Sequence, residues 1–377
     1  MSTLKVDAIR HNSATSDAIT TAADGTCTAK ITGRTGGGGL SNRNLIINGA
    51  MQIAQRGTSS TASGHGSVDR FAVYHSTDDA PTHSQSDVGL SDLPFTEQGI
   101  TKCLKVTNGN QSGAGNAEYV EINYKCEAQD IRNSGWNYQS SSSFITLSYY
   151  VRSSVAQTYT AWITNRDGTR KNFVWSYALS ANTWTKITKV IPGDSGLTIN
   201  NDNGAAFELW FQMFYGTNYT QASPPGNNTG GWVNHDNQTV VDNTTTWYLT
   251  NDATFELTGV QLEVGNHATS FEHRSVADEL ARCQRYYEET YVMTDAGNSY
   301  VRVPVLYKVE KRAVGTPVSY AKRPDGVGTG AANKAYQADG ERTASCNYSW
   351  TGGTMLFVSG YSANTDCFSN IRVNAEL

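Results

Sequence analysis

The run GDSG at residues 193–196 has the pattern that surrounds the nucleophilic serine of trypsin-like proteases. That chemistry requires a histidine, oriented by an aspartate, to remove the proton from the serine Oγ. No histidine motif of this kind precedes the run, and Ile191-Pro192 leads into it as the end of a strand would. We therefore predict a turn at 193–196 and no serine nucleophile.

Three histidines lie close together in the sequence, at His65, His75 and His83. Their spacing matches neither the HxH nor the HExxH arrangement that brings two imidazoles to one metal ion. We interpret them as surface or loop side chains. The 6 cysteines contain no CxxC pair, so we expect no zinc site. We also expect no cofactor.

Enzymes that cleave polysaccharides hold two carboxylates roughly 5–10 Å apart across the sugar. Glu118, Glu121 and Glu208 are interpreted as ordinary strand or loop residues, because the sequence shows no pairing among them. The chain also lacks the internal repeat of a β-helix, a frequent frame for such enzymes. We predict no enzymatic activity, and a glycan depolymerase is the less favoured alternative.

Aromatic side chains offer another kind of chemistry, since an exposed Trp ring packs on the apolar C–H face of a pyranose while Asn and Asp bind its hydroxyls. Trp136 and Tyr138 lie in the segment NSGWNYQSS, and Trp232 is followed closely by Asn234 and Asp236. These five residues are the predicted glycan-binding site. The alternative for each ring is packing in the core or between subunits.

Composition excludes several functional classes. Charged residues make up 17% of the chain, the formal net charge is −5, and no basic run is present, which argues against nucleic-acid binding. No stretch reaches the ~18 consecutive apolar residues of a membrane span. The opening MSTLKVDAIRH lacks the apolar core of a signal peptide, so we expect synthesis in a reducing cytoplasm.

The cysteines fit that compartment as free and mostly buried thiols. The pairs Cys103/Cys126 and Cys346/Cys367 are close enough in sequence for bridges to remain an alternative.

The elements that would carry these residues are mainly strands. Runs at 144–153, 158–165, 171–179, 183–191 and 205–215 are rich in β-branched and aromatic residues, with the spacing of an antiparallel sandwich. The first two look like adjacent strands. Residues 216–252 instead predict a long loop, either functional or disordered.

The run at 205–215 alternates between two faces of a strand. Phe207, Leu209, Phe211 and Met213 fall on one face, and Glu208, Trp210, Gln212 and Phe214 fall on the other. Since the second face also carries large aromatics, it is either covered or a binding surface.

The first 34 residues predict an arm, because Leu4, Val6 and Ile9 are too few to bury a core from one chain. Asp24-Gly25 is a plausible hairpin turn, and the glycines at 36–39 predict a flexible joint.

One helix is expected after Ser275. The run VADELARCQRYYEETY places Leu280, Cys283, Gln284 and Tyr287 at helical spacing, and Ser275 can cap its start. Beyond about Tyr291 the pattern returns to strands.

Three stretches resemble bacteriophage tail-fibre proteins of marine phages that infect cyanobacteria and similar hosts. They are STLKVDAIRHNSATSDAITTAADGT near the start, NRNLIINGAMQIAQRG with SVDRF at 42–71, and TFELTGVQLEVGNHATSFEHRSVADELARCQRYYEETY at 254–291. The second and third are similar to the beginning and end of a phage domain related to carbohydrate-binding jelly rolls, and the ending VNAEL is familiar there.

The resemblance implies a homotrimeric fibre that is made in the host cytoplasm, joins other tail or virion proteins through its N-terminal arm, and binds host-surface polysaccharide. A purely structural virion part without a ligand is the competing function. Jelly rolls of this kind often hold a structural Ca²⁺, but Asn48-Gly49-Ala50 and Thr258-Gly259 lack the carboxylates for it.

The predicted fold is therefore all-β in three parts. An N-terminal attachment arm and hinge occupy 1–43, an antiparallel jelly-roll sandwich occupies 44–273, and a connecting helix with a smaller β tip occupies 274–377.

Overall fold

The fold is all-β, as the sequence predicts. The computed structural model describes residues 8–9, 19–21, 27–29, 42–242, 246–294, 300–338, 340–359 and 366–377. The turn expected at Asp24-Gly25 and the glycines at 36–39 lie outside these residues. The arm contributes a small antiparallel sheet with the order β1-β2-β3, built from β1 (Ala8–Ile9), β2 (Ile19–Thr21) and β3 (Cys27–Ala29).

Two six-stranded sheets form an antiparallel sandwich of the jelly-roll type. The strands between residues 59 and 264 are β4 (Ser59–Ser60), β5 (Phe71–Ser76), β6 (Thr82–Asp87), β7 (Lys102–Thr107), β8 (Tyr119–Glu127), β9 (Phe144–Ser153), β10 (Gln157–Asn165), β11 (Lys171–Leu179), β12 (Thr185–Pro192), β13 (Ala205–Tyr215), β14 (Thr220–Gln221), β15 (Val233–Asn234), β16 (Val240–Val241) and β17 (Thr254–Val264). One sheet has the order β15-β11-β10-β13-β8-β5 and the other β12-β9-β17-β7-β6-β4, while β14 and β16 pair separately. The prediction of an antiparallel sandwich is confirmed.

The core lies between the two sheets because apolar residues alternate along their strands. On β13, Phe207, Leu209 and Phe211 are fully buried in this core. A register shift between Gln212 and Phe214 breaks the alternation, so Phe214 also enters the core. The sequence pattern had placed Phe214 on the opposite face, and the bulge is the reason for the difference.

The expectation that β9 and β10 are adjacent strands is wrong. β9 pairs with β12 and β17 in one sheet, whereas β10 pairs with β11 and β13 in the other. The short connection at 154–156 therefore crosses from one layer to the other. Ser153 Oγ receives a hydrogen bond from the backbone N of Val155 there (3.1 Å), which satisfies the turning backbone.

A separate seven-stranded sheet forms the tip, with the order β18-β24-β21-β22-β23-β19 and β20 paired to β24. Its strands are β18 (Tyr287–Thr294), β19 (Tyr300–Leu306), β20 (Val318–Tyr320), β21 (Lys334–Gln337), β22 (Gly340–Trp350), β23 (Gly353–Ser359) and β24 (Cys367–Asn374). It has its own small core, which includes Val305, Leu356, Val358 and Ile371.

The described residues contain three helices, α1 (Leu93–Gln98), α2 (Ala128–Arg132) and α3 (Val276–Gln284). Only α3 was predicted. Its cap is confirmed, because Ser275 Oγ accepts from the backbone N of Asp278 (3.1 Å). The helix ends at Gln284, earlier than its apolar spacing indicates, because Tyr287 already belongs to β18. None of these helices is long and apolar enough to span a membrane.

The tip is joined to the sandwich by buried ionic contacts. Glu127 at the end of β8 accepts from Arg285 (2.6 Å) and from the Tyr286 hydroxyl (2.6 Å). At the other end of the tip, Glu376 pairs with Arg70 and with Arg56 (3.2 Å). The domain limits at 43 and 273 stay predictions.

Candidate functional site

Two of the predicted ligand-binding aromatics are core residues. Trp136 is 3% exposed and packs on Phe207 with ring centroids 5.9 Å apart. Trp232 is 8% exposed, stacks on the same Phe207 at 5.8 Å, and donates from Nε1 to the Pro192 carbonyl (2.8 Å). The expectation that these rings face solvent is wrong. The loops that carry them fold back over one end of the sandwich, where the large rings complete the apolar core.

The other predicted residues do not gather around an open ring. Tyr138 is half-buried against the core, and its hydroxyl bonds to Arg132. Asn234 is exposed on the short strand β15 opposite Lys171, and Asp236 accepts from the Gln238 backbone (2.8 Å) within a turn. They are sequence neighbours of Trp232, but the ring of Trp232 lies in the core.

The structure also resolves the other chemically suggestive patterns. The turn at 193–196 is confirmed, with Asp194 bound to Lys171 Nζ (2.6 Å). His83 lies fully buried on β6, between Ser67 Oγ (2.7 Å) and the Ala62 carbonyl (2.9 Å), so its interpretation as a surface or loop residue is wrong. In the described part of the chain, no three His, Cys, Asp or Glu side chains gather as metal ligands.

Five of the cysteines are free thiols: Cys103, Cys126, Cys283, Cys346 and Cys367. All but Cys346 are buried, and burial raises the pKa of Cys103 and Cys126 to about 12. The alternative of bridges within the pairs Cys103/Cys126 and Cys346/Cys367 is not what the structure has. The side chain of Cys27 lies outside the described residues.

A different surface combines aromatic and polar groups. We call it the outer face: the side of strands β5, β8, β13, β10 and β11 that points away from the core. Alternate residues of β13 point to this face, namely Glu208, Trp210 and Gln212. In the ladder, Trp210 stands opposite Asn123 on β8 and Trp162 on β10.

The two tryptophans of the outer face stack almost parallel, with centroids 5.7 Å apart and an interplanar angle of 11°. Trp162 is 5% exposed, because Val240 of the long loop packs on it. Trp210 is only partly buried, and its Nε1 has no hydrogen-bond partner in the structure. The ring of Trp210 is therefore supported by Trp162 and partly open, while its Nε1 is a buried donor without a partner.

Charged groups flank this ring on one side. Glu208 is 3% exposed and lies between Lys125 Nζ (3.3 Å) and Arg166 Nη1 (3.1 Å). Since both cations reach it from neighbouring strands, Glu208 is compensated as a carboxylate. The three side chains form a fixed row of polar atoms across β8, β13 and β10.

The second carboxyl group of the face belongs to Glu121. Glu121 is 4% exposed, and its carboxylate accepts from the Tyr215 hydroxyl. Burial raises the pKa of Glu121 to about 8, with a smaller upward effect from Glu208. Opposite it on β5 stands Tyr74, which is partly exposed and whose pKa burial also raises. Near neutral pH this part of the face is therefore an uncharged donor and acceptor surface.

The outer face is bounded at both ends. The loop after β13 covers the β10–β11 side, where Ser176 Oγ donates to Asn227 (3.0 Å). At the other side, Lys125 Nζ donates to the Leu377 carbonyl (3.0 Å), so the end of β24 borders the surface. Over β5, β8 and β13 many outward-facing residues are buried, and the partly exposed ones include Tyr74, Lys125 and Trp210.

A cleft of about 730 Å³ beside α3 is a weaker candidate. Its cations are already engaged: Arg274 pairs with Glu272 (3.2 Å), and Arg282 donates to Asn42 (2.6 Å). Its lining includes no Trp, Tyr or Phe. We therefore place the candidate site on the outer face.

The sequence contained one signal for this site, the alternation in 205–215 that put Trp210 on a second aromatic-rich face. Asn123, Lys125 and Tyr74 were missed, because nothing in a single strand indicates which strands will lie beside it.

No family model and no curated protein matches the sequence. Solved structures with a related sandwich include the enzymatically active domain of tailspike protein 4 of bacteriophage CBA120, at 8% identity and a TM-score of 0.31, covering 59% of this chain and 22% of that chain. A CBM4 structure aligns at 13% identity and a TM-score of 0.27, covering 52% of this chain and 95% of that chain. The N-terminal cellulose-binding domain of Cellulomonas fimi β-1,4-glucanase C aligns at 13% identity and a TM-score of 0.27, covering 57% and 99%. At these identities and TM-scores the likenesses carry no conclusion about what this chain binds.

Proposed function

We propose that this protein is a glycan-binding virion component of the tail-fibre type, and that the outer face of its sandwich contacts polysaccharide on the host cell surface. The observation that carries the proposal is Trp210, a partly open indole that is stacked on Trp162 and set among amides and carboxyls. The similarity of residues 42–71 and 254–291 to a phage domain related to carbohydrate-binding jelly rolls supports the same function.

The chemistry of the face fits a sugar. The Trp210 ring would pack on the apolar side of a pyranose, while the partly exposed Lys125 and Arg166 would bind its hydroxyls. Lys125 and Arg166 are already paired with Glu208, so they add polar contacts without a net basic field. Binding should therefore depend little on salt concentration.

We also propose that the protein binds its glycan and does not cleave it. Hydrolysis needs an acid and a carboxylate free to act on opposite sides of one bond. Glu208 is engaged by Lys125 and Arg166, and Glu121 is engaged by Tyr215. A purely structural virion part remains the competing proposal.

The test is binding of Trp210→Ala to a glycan array and to host cells. We expect a loss of about tenfold or more, as for the central aromatic of an interface. Trp210→Phe should retain part of the binding, because a smaller ring remains. Tyr138→Ala, which removes a half-buried aromatic elsewhere on the sandwich, is the matched control.

An unchanged affinity of Trp210→Ala, with folding verified by its melting temperature, would place the site elsewhere. Absence of any glycan or host binding by the parent protein would favour the purely structural function.

The assembly proposed is a homotrimer that attaches to other tail or virion proteins through the arm at 1–43. Three linked sites on one fibre would convert a weak single-site affinity into a much higher avidity. Contacts of Leu280 and Tyr287 between subunits would support the trimer, but both pack within one chain. Leu280 lies against the cluster of Ile47 and Ile53, and Tyr287 lies beneath the Arg56 guanidinium (3.8 Å). Light scattering of the full chain should return the trimer mass, and a monomer mass would refute the proposal.

A further inference from the structure

The tip carries an exposed aromatic surface that the outer face does not explain. Among the described residues, three bulky side chains sit on backbone with positive φ: Met51 (58°), Arg70 (72°) and Tyr348 (54°). Met51 and Arg70 are buried at 0% and 2% exposure, so packing around their side chains accounts for the strain. Tyr348 is 81% exposed, and no core contact offsets its conformation.

The strain arises in a bulge of the β22–β23 hairpin. Asn347 pairs with Met355, and after a register shift Trp350 pairs with Gly353, so Tyr348 and Ser349 on β22 stand opposite the single residue Thr354 on β23. Ser349 Oγ bonds to Thr354 Oγ1 (2.9 Å), which in turn donates to the Asn347 carbonyl (3.4 Å). Hydrogen bonds therefore hold the bulge in the shape that turns Tyr348 outward.

The neighbouring side chains extend this surface. Trp350 is 40% exposed, and Leu306, which faces Gly353 from β19, is 71% exposed. A Cβ added at Gly353 would lie 2.6 Å from Cζ2 of Trp350, so the indole lies across the glycine backbone. The Tyr348 ring also lies 6.1 Å from the ring of Phe357.

The hairpin is braced from below. The backbone N of Tyr307 donates to the Gly352 carbonyl (3.0 Å), and that of Lys311 donates to the Thr351 carbonyl (2.8 Å). Lys311 itself is anchored by a fully buried ion pair with Glu288 (2.7 Å). The aromatic surface is thus held on a rigid support, which lowers the entropy lost on binding.

We propose that Tyr348, Trp350 and Leu306 form a second saccharide-binding surface, which we call the tip platform. Its flat apolar side chains stand among the neutral polar side chains of Asn347, Ser345 and Thr351, and the exposed Arg302 lies over the neighbouring Phe357 ring (5.2 Å). Aromatic rings pack on the C–H faces of sugars, and amides and hydroxyls bind sugar hydroxyls. This combination suits a neutral polysaccharide.

The alternative occupant, a second copy of this chain, fits less well. A stable protein interface takes about 20–30 residues from each partner and a contiguous apolar centre. The tip platform offers three exposed apolar side chains on one hairpin and its neighbouring strand, surrounded by polar groups. A repeating sugar chain can instead bind one or two rings at a time.

The experiment uses the full chain and immobilised neutral polysaccharides: xylan, mannan, galactan and mixed-linkage β-glucan. The double variant Tyr348→Ala/Trp350→Ala should lower retention on at least one of them by about tenfold or more. Tyr291→Ala, a tyrosine 40% exposed on β18, is the matched control and should behave as the parent.

Tyr348→Gly separates binding from folding. Glycine adopts positive φ without strain, so this variant should have a higher melting temperature than the parent and yet bind more weakly. Tyr348→Phe keeps the ring and should retain binding. If Tyr348→Ala/Trp350→Ala still lowers retention when Trp210 is already replaced by alanine, the tip platform binds independently of the outer face.

The proposal is overturned if the double variant binds every polysaccharide as the parent does, or if the parent binds none of the four. It is also overturned if the double variant changes the mass measured by light scattering, since the occupant is then a second copy of the chain.

Discussion

Replacing Trp232 with alanine should destabilise the sandwich without touching the proposed ligand site. Trp232 is 8% exposed, stacks on Phe207 at 5.8 Å and lies 5.8 Å from Phe173. Truncation removes a large ring from the core and leaves a cavity, and such Trp-to-Ala changes cost about 3–5 kcal/mol. A further part of the loss is the Pro192 carbonyl, which gives up the donor at 2.8 Å.

The free energy of unfolding of a natural domain is about 5–15 kcal/mol, so this substitution removes a fifth or more of it. Trp232→Phe keeps an aromatic ring and loses mainly the hydrogen bond and part of the volume. Its cost should be smaller, about 1–2 kcal/mol. Leu249→Ala, at a side chain 46% exposed, is the control and should change stability by less than about 0.5 kcal/mol.

Urea unfolding followed by far-ultraviolet circular dichroism gives the midpoint for each variant, and glycan retention is measured per folded molecule. We expect the order parent, Trp232→Phe, Trp232→Ala in falling midpoint, with retention unchanged. The burial argument is refuted if the midpoint of Trp232→Ala equals that of the parent while retention is lost. That result would mean that the ring faces a ligand and contributes nothing to the core.

Three further predictions concern charge and the arm. Burial raises the pKa of Glu121 to about 8 from the usual 4.5, so the folded state keeps a proton that the unfolded state releases. The free energy of unfolding should therefore fall as the pH rises from about 4.5 to about 8. In a pH series of urea midpoints, Glu121→Gln should remove this fall. Burial alone would raise the pKa of Glu376, but Arg70 and other nearby cations hold that pKa at about 2. The contribution of the Glu376 carboxylate to the free energy of unfolding is therefore complete above about pH 4.5 and is lost as the pH falls toward 2. Glu376→Gln should therefore cost about 3–5 kcal/mol at pH 7, with the exposed Glu310→Gln as control, and equal midpoints for the two would contradict it. Deleting residues 1–34 should leave glycan binding of the isolated protein intact while removing the protein from particles, and immunoblots that find the shortened chain in particles would disprove attachment by the arm.

Much of the sandwich could be predicted from sequence because its strands carry local signals. The run at 205–215 alternates cleanly, and the structure has a strand at Ala205–Tyr215. The cap at Ser275 is equally local and was also predicted. The pairing of strands is not local, which is why β9 and β10 were placed side by side although they belong to different sheets.

The site was harder to predict for the same reason. Trp136 and Trp232 lie in Gly- and Asn-rich segments that resemble exposed loops, and only the tertiary fold turns their rings inward. Trp210 lies in a strand, where a buried position is the usual expectation, and only the order of strands leaves its ring partly open. The bulge at Tyr348 has no sequence signature either, since the left-handed conformation there belongs to a tyrosine and not to a glycine.

The contact between Arg70 and Glu376 has a consequence for the protein during translation. The two residues are separated by 306 positions, and at about 5–20 residues per second the second is made roughly 15–60 s after the first. Once β17 has been made, the strands of the sandwich can pair, yet a guanidinium destined to be 2% exposed still has no carboxylate to meet it. A nascent chain emerging from the ribosome would therefore present Arg70 and its surrounding pocket to chaperones, and synthesis of the last strand would close it.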